Sequence, residues 1–170
     1  MKLLTIITLG LSFLSGSSHA DEPQIDVLYS VMKLTPEAAQ LIAKRAMADC
    51  RSKGAQISVA VLDGGGHIQV LLRDRLAGFS TPEGAILKAK TAINFRSSTS
   101  LFTEAVKNDP DAAGIEHLPG VLLLGGGLPI ETSGSLVGAV GVAGAPNGEM
   151  DEQCAQAGID AVQDELEFAD

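Results

Sequence analysis

The sequence predicts an α+β domain: one antiparallel sheet with helices packed on both faces. Three observations carry that expectation. The elements read helix, hairpin, helix, short helix, hairpin, helix, which is not the strand–helix alternation that builds a parallel sheet. The strand segments, Ile57–Leu62 and the runs within Gly120–Gly148, are apolar at nearly every position rather than at every second one, so both of their faces need cover. The chain has 170 residues, and the roughly 150 left after a leader is set aside suffice for one domain with a real core.

Met1–Ala20 stands apart from the domain. Lys2 gives a short basic start, Leu3–Leu14 is an apolar run, and Ser18-His19-Ala20 is a small-x-small cleavage site, the pattern of a signal peptide cut after Ala20. The run is broken by Ser12, Ser15 and Gly16 and falls short of the ~20 apolar residues of a membrane span. The mature protein is therefore expected to be periplasmic or secreted. Residues 21–33 form a polar lead-in carrying Pro23, with Ile25, Val27, Leu28 and Met32 free to dock on a neighbour. The single domain covers residues 34–170.

Thr35 is a good N-cap with Pro36 at the first helical position, and Ala38, Leu41, Ile42, Ala46 and Cys50 recur at helical spacing until Gly54 ends the helix. Ile57–Leu62 is a strand, Asp63-Gly64-Gly65-Gly66 a turn, and Ile68, Val70 and Leu72 mark the returning strand of a hairpin. Ser80-Thr81-Pro82-Glu83 reads as a capping box opening a helix over Pro82–Phe95. Its Ala85, Ile86, Ala89, Ala92 and Ile93 form a narrow small-residue stripe, with Lys88 and Lys90 off it. Thr99 or Ser100 caps a short helix carrying Leu101, Phe102 and Val106. A turn at Asn108–Asp111 and a loop through Leu118-Pro119 lead into the second hairpin, where two glycine-punctuated apolar runs within Gly120–Gly148 flank a polar turn. A last helix, about Glu149–Phe168, has acidic residues in its first turn, as the helix dipole favours.

Composition excludes several functions. The formal charge is −9, one unit more negative once Lys2 leaves with the leader, which disfavours nucleic acid and anionic membranes. There is no Trp and one Tyr, and the low aromatic content argues against a stacking platform for bases or sugars. The glycines do not fit a nucleotide loop: Gly138, Gly141 and Gly144 are three apart, and Pro129 blocks a helix after Gly125-Gly126-Gly127. Cys50 and Cys154 each lie among small apolar residues on helices and read as buried thiols behaving as small hydrophobes; export also permits a bridge between them. Nothing marks a catalytic set. Gly-x-Ser-x-Gly is absent, Ser133-Gly134-Ser135 reads as a turn, and Glu116 and Glu131 look like surface acids.

Six blocks in order resemble the GlcG/HbpS haem-binding family: Val61–His67, Lys88–Ala92, Gly114–Glu116, Gly126–Ile130, Val137–Gly144 and Asp151–Gly158. The pattern spans nearly all of residues 34–162. It implies a profilin-like fold, a three-layer α/β/α sandwich around a central antiparallel sheet, with assembly into dimers and larger rings. It also implies haem, or another tetrapyrrole such as a corrinoid, as ligand, with haem degradation or redox sensing in some members. The expectation is an exported protein that sequesters, senses or helps process haem. An accessory subunit of a periplasmic oxidoreductase, sensor or transport system, and a haem-degrading enzyme, are the alternatives.

The mature chain keeps two histidines, His67 and His117, so an imidazole on haem iron is one of these. His117 follows the Gly-Ile-Glu block and is ranked first as axial ligand; His67, just after the hairpin turn, is either a ligand or an exposed turn residue. Met47, Met150, Tyr29, a cysteine, Thr91 or Thr99 are the other donors, and Thr99 matches a threonine the family places after its second helix. Arg73, Arg75, Lys88, Lys90 and Arg96 cluster in the middle third of an acidic chain, which favours an anionic ligand, since haem propionates prefer Arg or Lys. The bland reading of Lys88 and Lys90 is a solvated helix face. Arg96-Ser97-Ser98 departs from the proline and glycine frequent there in the family.

Overall fold

The computed structural model describes residues 26–168. The leader expected over Met1–Ala20, its expected cleavage site, and Pro23 and Ile25 of the lead-in lie outside the described residues. The chain divides into two units, Met1–Ser30 and Val31–Asp170. Of the first, Asp26–Ser30 has no regular structure, and Val27, Leu28 and Tyr29 are exposed. Among the described residues no helix is long and apolar enough to cross a membrane.

The second unit is the expected sandwich. Helix α1 (Pro36–Ser52) opens under Thr35, whose hydroxyl accepts from the Ala38 amide. Strands β1 (Ser58–Asp63) and β2 (Ile68–Arg73) form the first hairpin, followed by α2 (Thr81–Phe95) and α3 (Thr99–Asn108). A 3-10 helix, Pro110–His117, replaces the expected loop. Strands β3 (Gly127–Thr132) and β4 (Ser135–Ala143) form the second hairpin, and α4 (Gly148–Asp160) and α5 (Gln163–Glu167) end the domain. The sheet order is β2-β1-β4-β3, antiparallel throughout.

The two central strands sort their side chains by size. Val59, Val61, Val140 and Val142 face the layer of α1 and α4, joining Ile42, Ala46, Ile130 and Ile159 in the larger core. Ala60, Leu62, Ala139 and Ala143 face α2 and meet Ala85, Ala89 and Ala92. This period-two partition explains why both strands look uniformly apolar in sequence. Gly141 sits in the small-residue layer, where a Cβ would overlap the Ala85 carbonyl. The stripe on α2 therefore serves close approach to the sheet.

Several expectations shift. The buried face of α1 is Ala39, Ile42, Ala43, Ala46, Met47 and Cys50, a slight rotation that leaves Leu41 exposed. Ser80 makes no side-chain cap; the Thr81 hydroxyl instead bonds the Gly78 carbonyl and the Ser58 hydroxyl. Ser98, not Thr99 or Ser100, caps α3 by accepting from the Leu101 amide. Val121–Leu124 forms no strand. β3 starts at Gly127 and tolerates Pro129 because it is an edge strand. Its link to β4 is the two-residue turn Ser133-Gly134, both left-handed. The final helix breaks at Ala161-Val162, which lets Leu166 reach the core and accept a bond from the Thr132 hydroxyl.

The cysteine reading is corrected. Cys50 of α1 and Cys154 of α4, both fully buried, form a disulfide across a Cα–Cα distance of 5.5 Å. The bridge ties two helices of one layer and closes a sequence separation of 104 residues. Replacing both cysteines by alanine is expected to lower stability by about 2–4 kcal/mol, chiefly by freeing the unfolded chain. Denaturant midpoints for the two proteins measure this, and coincident curves would contradict it.

Candidate functional site

The turn between β1 and β2 is built around one buried carboxylate. Asp63 closes β1 at 3% exposure. Its Oδ1 accepts from the amides of Gly65 and His67, each at 2.9 Å, and the His67 ring Nδ1 lies 3.2 Å from the same oxygen. The Lys33 ammonium donates to Oδ2 at 3.5 Å. Burial pushes the Asp63 carboxyl up, but the His67 amide and ring with the Gly65 amide prevail and hold it below the ordinary carboxylate range. Gly66 takes a left-handed φ of 81°, closing the turn onto the Asp63 carbonyl.

Gly64, Gly65, Gly66 and His67 form one wall of a cleft of about 610 Å³. Lys90, Ile93 and Asn94 from the second half of α2 form another, and Pro119 and Gly120 complete it. The volume suits a cofactor-sized ligand. The lining offers an imidazole, an ammonium, apolar surface and side-chain-free glycine backbone. An anionic, flat, largely apolar molecule matches those groups.

The structure brings only some of the sequence candidates to this cleft. His67 lines it, and so does Lys90. His117 ends the 3-10 helix, exposed, with Nε2 3.7 Å from Glu116; Pro119 and Gly120 just beyond it line the cleft, while His117 itself does not. Thr99 is fully buried, and its hydroxyl accepts from the Gly127 amide at 2.8 Å, fastening α3 to the start of β3. Arg96 is exposed at the left-handed C-cap of α2.

Arg73 and Arg75 line a second cleft, of about 480 Å³, with Arg51, Gln56 and Asp74. It lies at the far end of β2 from His67, roughly 20 Å away for six residues of strand. Arg51 grips Asp74 through Nε and Nη2 at 2.6 and 2.9 Å, and this pairing holds the Asp74 carboxyl below its usual range. Arg73 donates to the Ala77 carbonyl. Among the other donors, Met47 is buried in the core, and Thr91 donates to the Leu87 carbonyl and accepts from the Leu122 amide.

Of the two sequence readings of Lys88, propionate partner or solvated helix face, the structure removes the second. Lys88 is 5% exposed, and its ammonium donates to Asp151 Oδ2 at 2.7 Å and to the Val142 carbonyl at 2.9 Å. Asp151, at the first turn of α4, also accepts from the Ala145 amide at 3.0 Å. Burial lifts the Asp151 carboxyl above its ordinary value, against the pull of Lys88. The signal for burial was present in the spacing, since Lys88 stands three residues after Ala85 and four before Ala92. The partner, 63 residues away, was not. Glu152 was also missed; its Oε1 accepts from the amides of Ser100 and Gly126, joining α4 to α3 and the glycine loop.

A family model described as haem degrading protein HbpS-like matches residues 34–160. The structure is similar to that of a double mutant of Streptomyces reticuli HbpS, with 34% identity, a TM-score of 0.76, and coverage of 86% of this chain and 98% of that one. A structure described as a PduOC:heme complex is 27% identical with a TM-score of 0.71, covering 76% of this chain and 95% of that one. Protein GlcG of Escherichia coli is 32% identical over 113 residues, 64% of this chain and 80% of its own length.

Lys88→Met is expected to destabilise the fold by about 3–5 kcal/mol at neutral pH, because it strands a buried carboxylate. A carboxyl whose folded pKa is raised stabilises below its unfolded pKa of about 3.9, and that contribution is lost as pH rises through the folded value. The deficit of Lys88→Met should therefore shrink as pH falls. Paired thermal melts across acid and neutral pH test this, and a pH-independent deficit would refute it.

Proposed function

The chain belongs to the family of haem-degrading HbpS-like proteins, and on that premise we propose that it is an exported protein that binds and sequesters haem in the cleft beside the β1–β2 turn. The observation that carries the reading is the meeting of His67, Lys90 and the Gly64–Gly66 backbone on one cleft with Ile93 and Pro119. These groups fit the ligand's three needs. The His67 imidazole is the candidate axial donor, displacing His117 from first rank; the Lys90 ammonium complements a propionate; the glycines let a flat ring approach the backbone. Bound haem would supply iron redox chemistry, while this chain would supply the imidazole donor, the ammonium and the apolar contacts of Ile93 and Pro119.

Export is favoured by the leader pattern of Met1–Ala20 and by the buried Cys50–Cys154 bridge, which suits an oxidising compartment. Assembly of like subunits is favoured by the uncovered edge of β2, where Ile68 and Leu71 are exposed and Leu76 and Phe79 follow. Haem breakdown is the second reading, and the description of the family favours it.

Titration of the mature protein with hemin should give a saturable Soret shift. His67→Ala should weaken binding at least about tenfold, His117→Ala should leave it nearly unchanged, and Lys90→Ala should fall between. The absence of a saturable shift would overturn the haem reading. Spectra that decay under peroxide or reductant, with release of iron, would favour breakdown over sequestration. Light scattering that finds a monomer at micromolar concentration would exclude stable assembly.

A further inference from the structure

We propose that Asp63 is a positioning residue, which holds the His67 imidazole with its proton on Nδ1 and so leaves Nε2 as the one ring nitrogen open to a ligand. The use of Nε2 on iron rests on the haem-binding reading; the tautomer does not. Asp63 Oδ1 already accepts from two backbone amides, so it can meet the ring nitrogen 3.2 Å away only as an acceptor. Nδ1 must then carry a hydrogen, and a neutral imidazole has only one to give. Carboxylate–imidazole pairs of this kind orient metal-binding histidines and raise the basicity of the outer nitrogen.

Gly65 is the residue that leaves the ring room over the carboxylate. A Cβ there would lie 3.1 Å from both Nδ1 and Cε1 of His67 and 3.3 Å from Asp63 Oδ1. Unlike Gly66, Gly65 has no left-handed φ that calls for glycine. What its missing side chain provides is room for the imidazole to lie over the turn. The charged groups near the pair are Lys33, on the other carboxylate oxygen, and Lys90, on the same cleft as His67. Neither offers an acceptor that would draw the proton to Nε2.

The bland alternative is that Asp63 only closes the turn through its two amide bonds. Asp63→Asn separates the two, because an asparagine oxygen still accepts from the turn amides but carries no charge. Gly65→Ala separates them from the other side, crowding the ring while keeping the carboxylate. Nitrogen-15 spectra of the ligand-free protein, recorded where the imidazole is neutral, should show Nδ1 protonated and Nε2 bare in the wild type. In both variants the population should move toward the Nε2–H form. Their hemin affinity should fall about tenfold, and in Asp63→Asn the ferric–ferrous potential should rise as the axial nitrogen loses basicity.

A wild-type ring protonated on Nε2 would overturn the proposal, as would variants that leave tautomer, affinity and potential unchanged. If hemin binds through His67 yet the variants change nothing, the positioning role fails and the haem reading stands. If hemin does not bind at all, the haem reading fails, and the ligand-free spectra alone decide the role of Asp63. Should Asp63→Asn not fold, Gly65→Ala carries the same test.

Discussion

Helix α2 lies against the sheet with almost no side chain between them. Ala85, Ala89 and Ala92 meet Ala60, Ala139, Gly141 and Ala143, and a single methyl added at Gly141 would collide with the helix backbone. That closeness sets the position of everything the helix carries. Lys88 is drawn under the end of β4, where its ammonium bonds the Val142 carbonyl and reaches Asp151 on α4, a helix of the opposite layer. The Gly127 backbone passes so near that a Cβ there would overlap the Lys88 carbonyl, so the glycine loop is fitted to α2 as well. Buried charge is costly by itself; here it is paired and hydrogen-bonded, and it fixes the two layers relative to each other.

The same placement makes the cleft. Two residues past Lys88, the helix presents Lys90, and a turn later Ile93 and Asn94, toward the β1–β2 turn. The turn is held from inside by Asp63, which organises backbone and ring together. A rigid helix and a stapled turn thus face each other across a gap of ligand size. The disulfide stabilises the opposite layer, away from this gap, where α1 and α4 pack on the valine face of the sheet.

The fold was legible because its elements are punctuated by strong local signals. Thr35-Pro36, the Asp63–Gly66 turn and Ser133-Gly134 each mark a boundary through backbone chemistry that context rarely overrides. The errors arose where local propensity competed with packing. Val121–Leu124 has strand-like composition but runs as an irregular segment tied to α2 through Thr91. On α2 the buried face continues through Lys88, and its spacing from Ala85 and Ala92 is the local sign of that burial, while its partner on α4 leaves no local sign.

The sequence by itself determined the element order, the two-sided cover of the central strands, the family and the short roster of imidazole donors, because these follow from periodicity, glycine and proline chemistry, and motif order along the chain. Only the tertiary structure decided that Cys50 meets Cys154, that Lys88 is spent on Asp151, that Thr99 serves the β3 start, and that His67 rather than His117 shares a cleft with Lys90. Each of those is a distance between residues remote in sequence, and the packing of small side chains between helix and sheet, invisible in any local pattern, is what sets such distances.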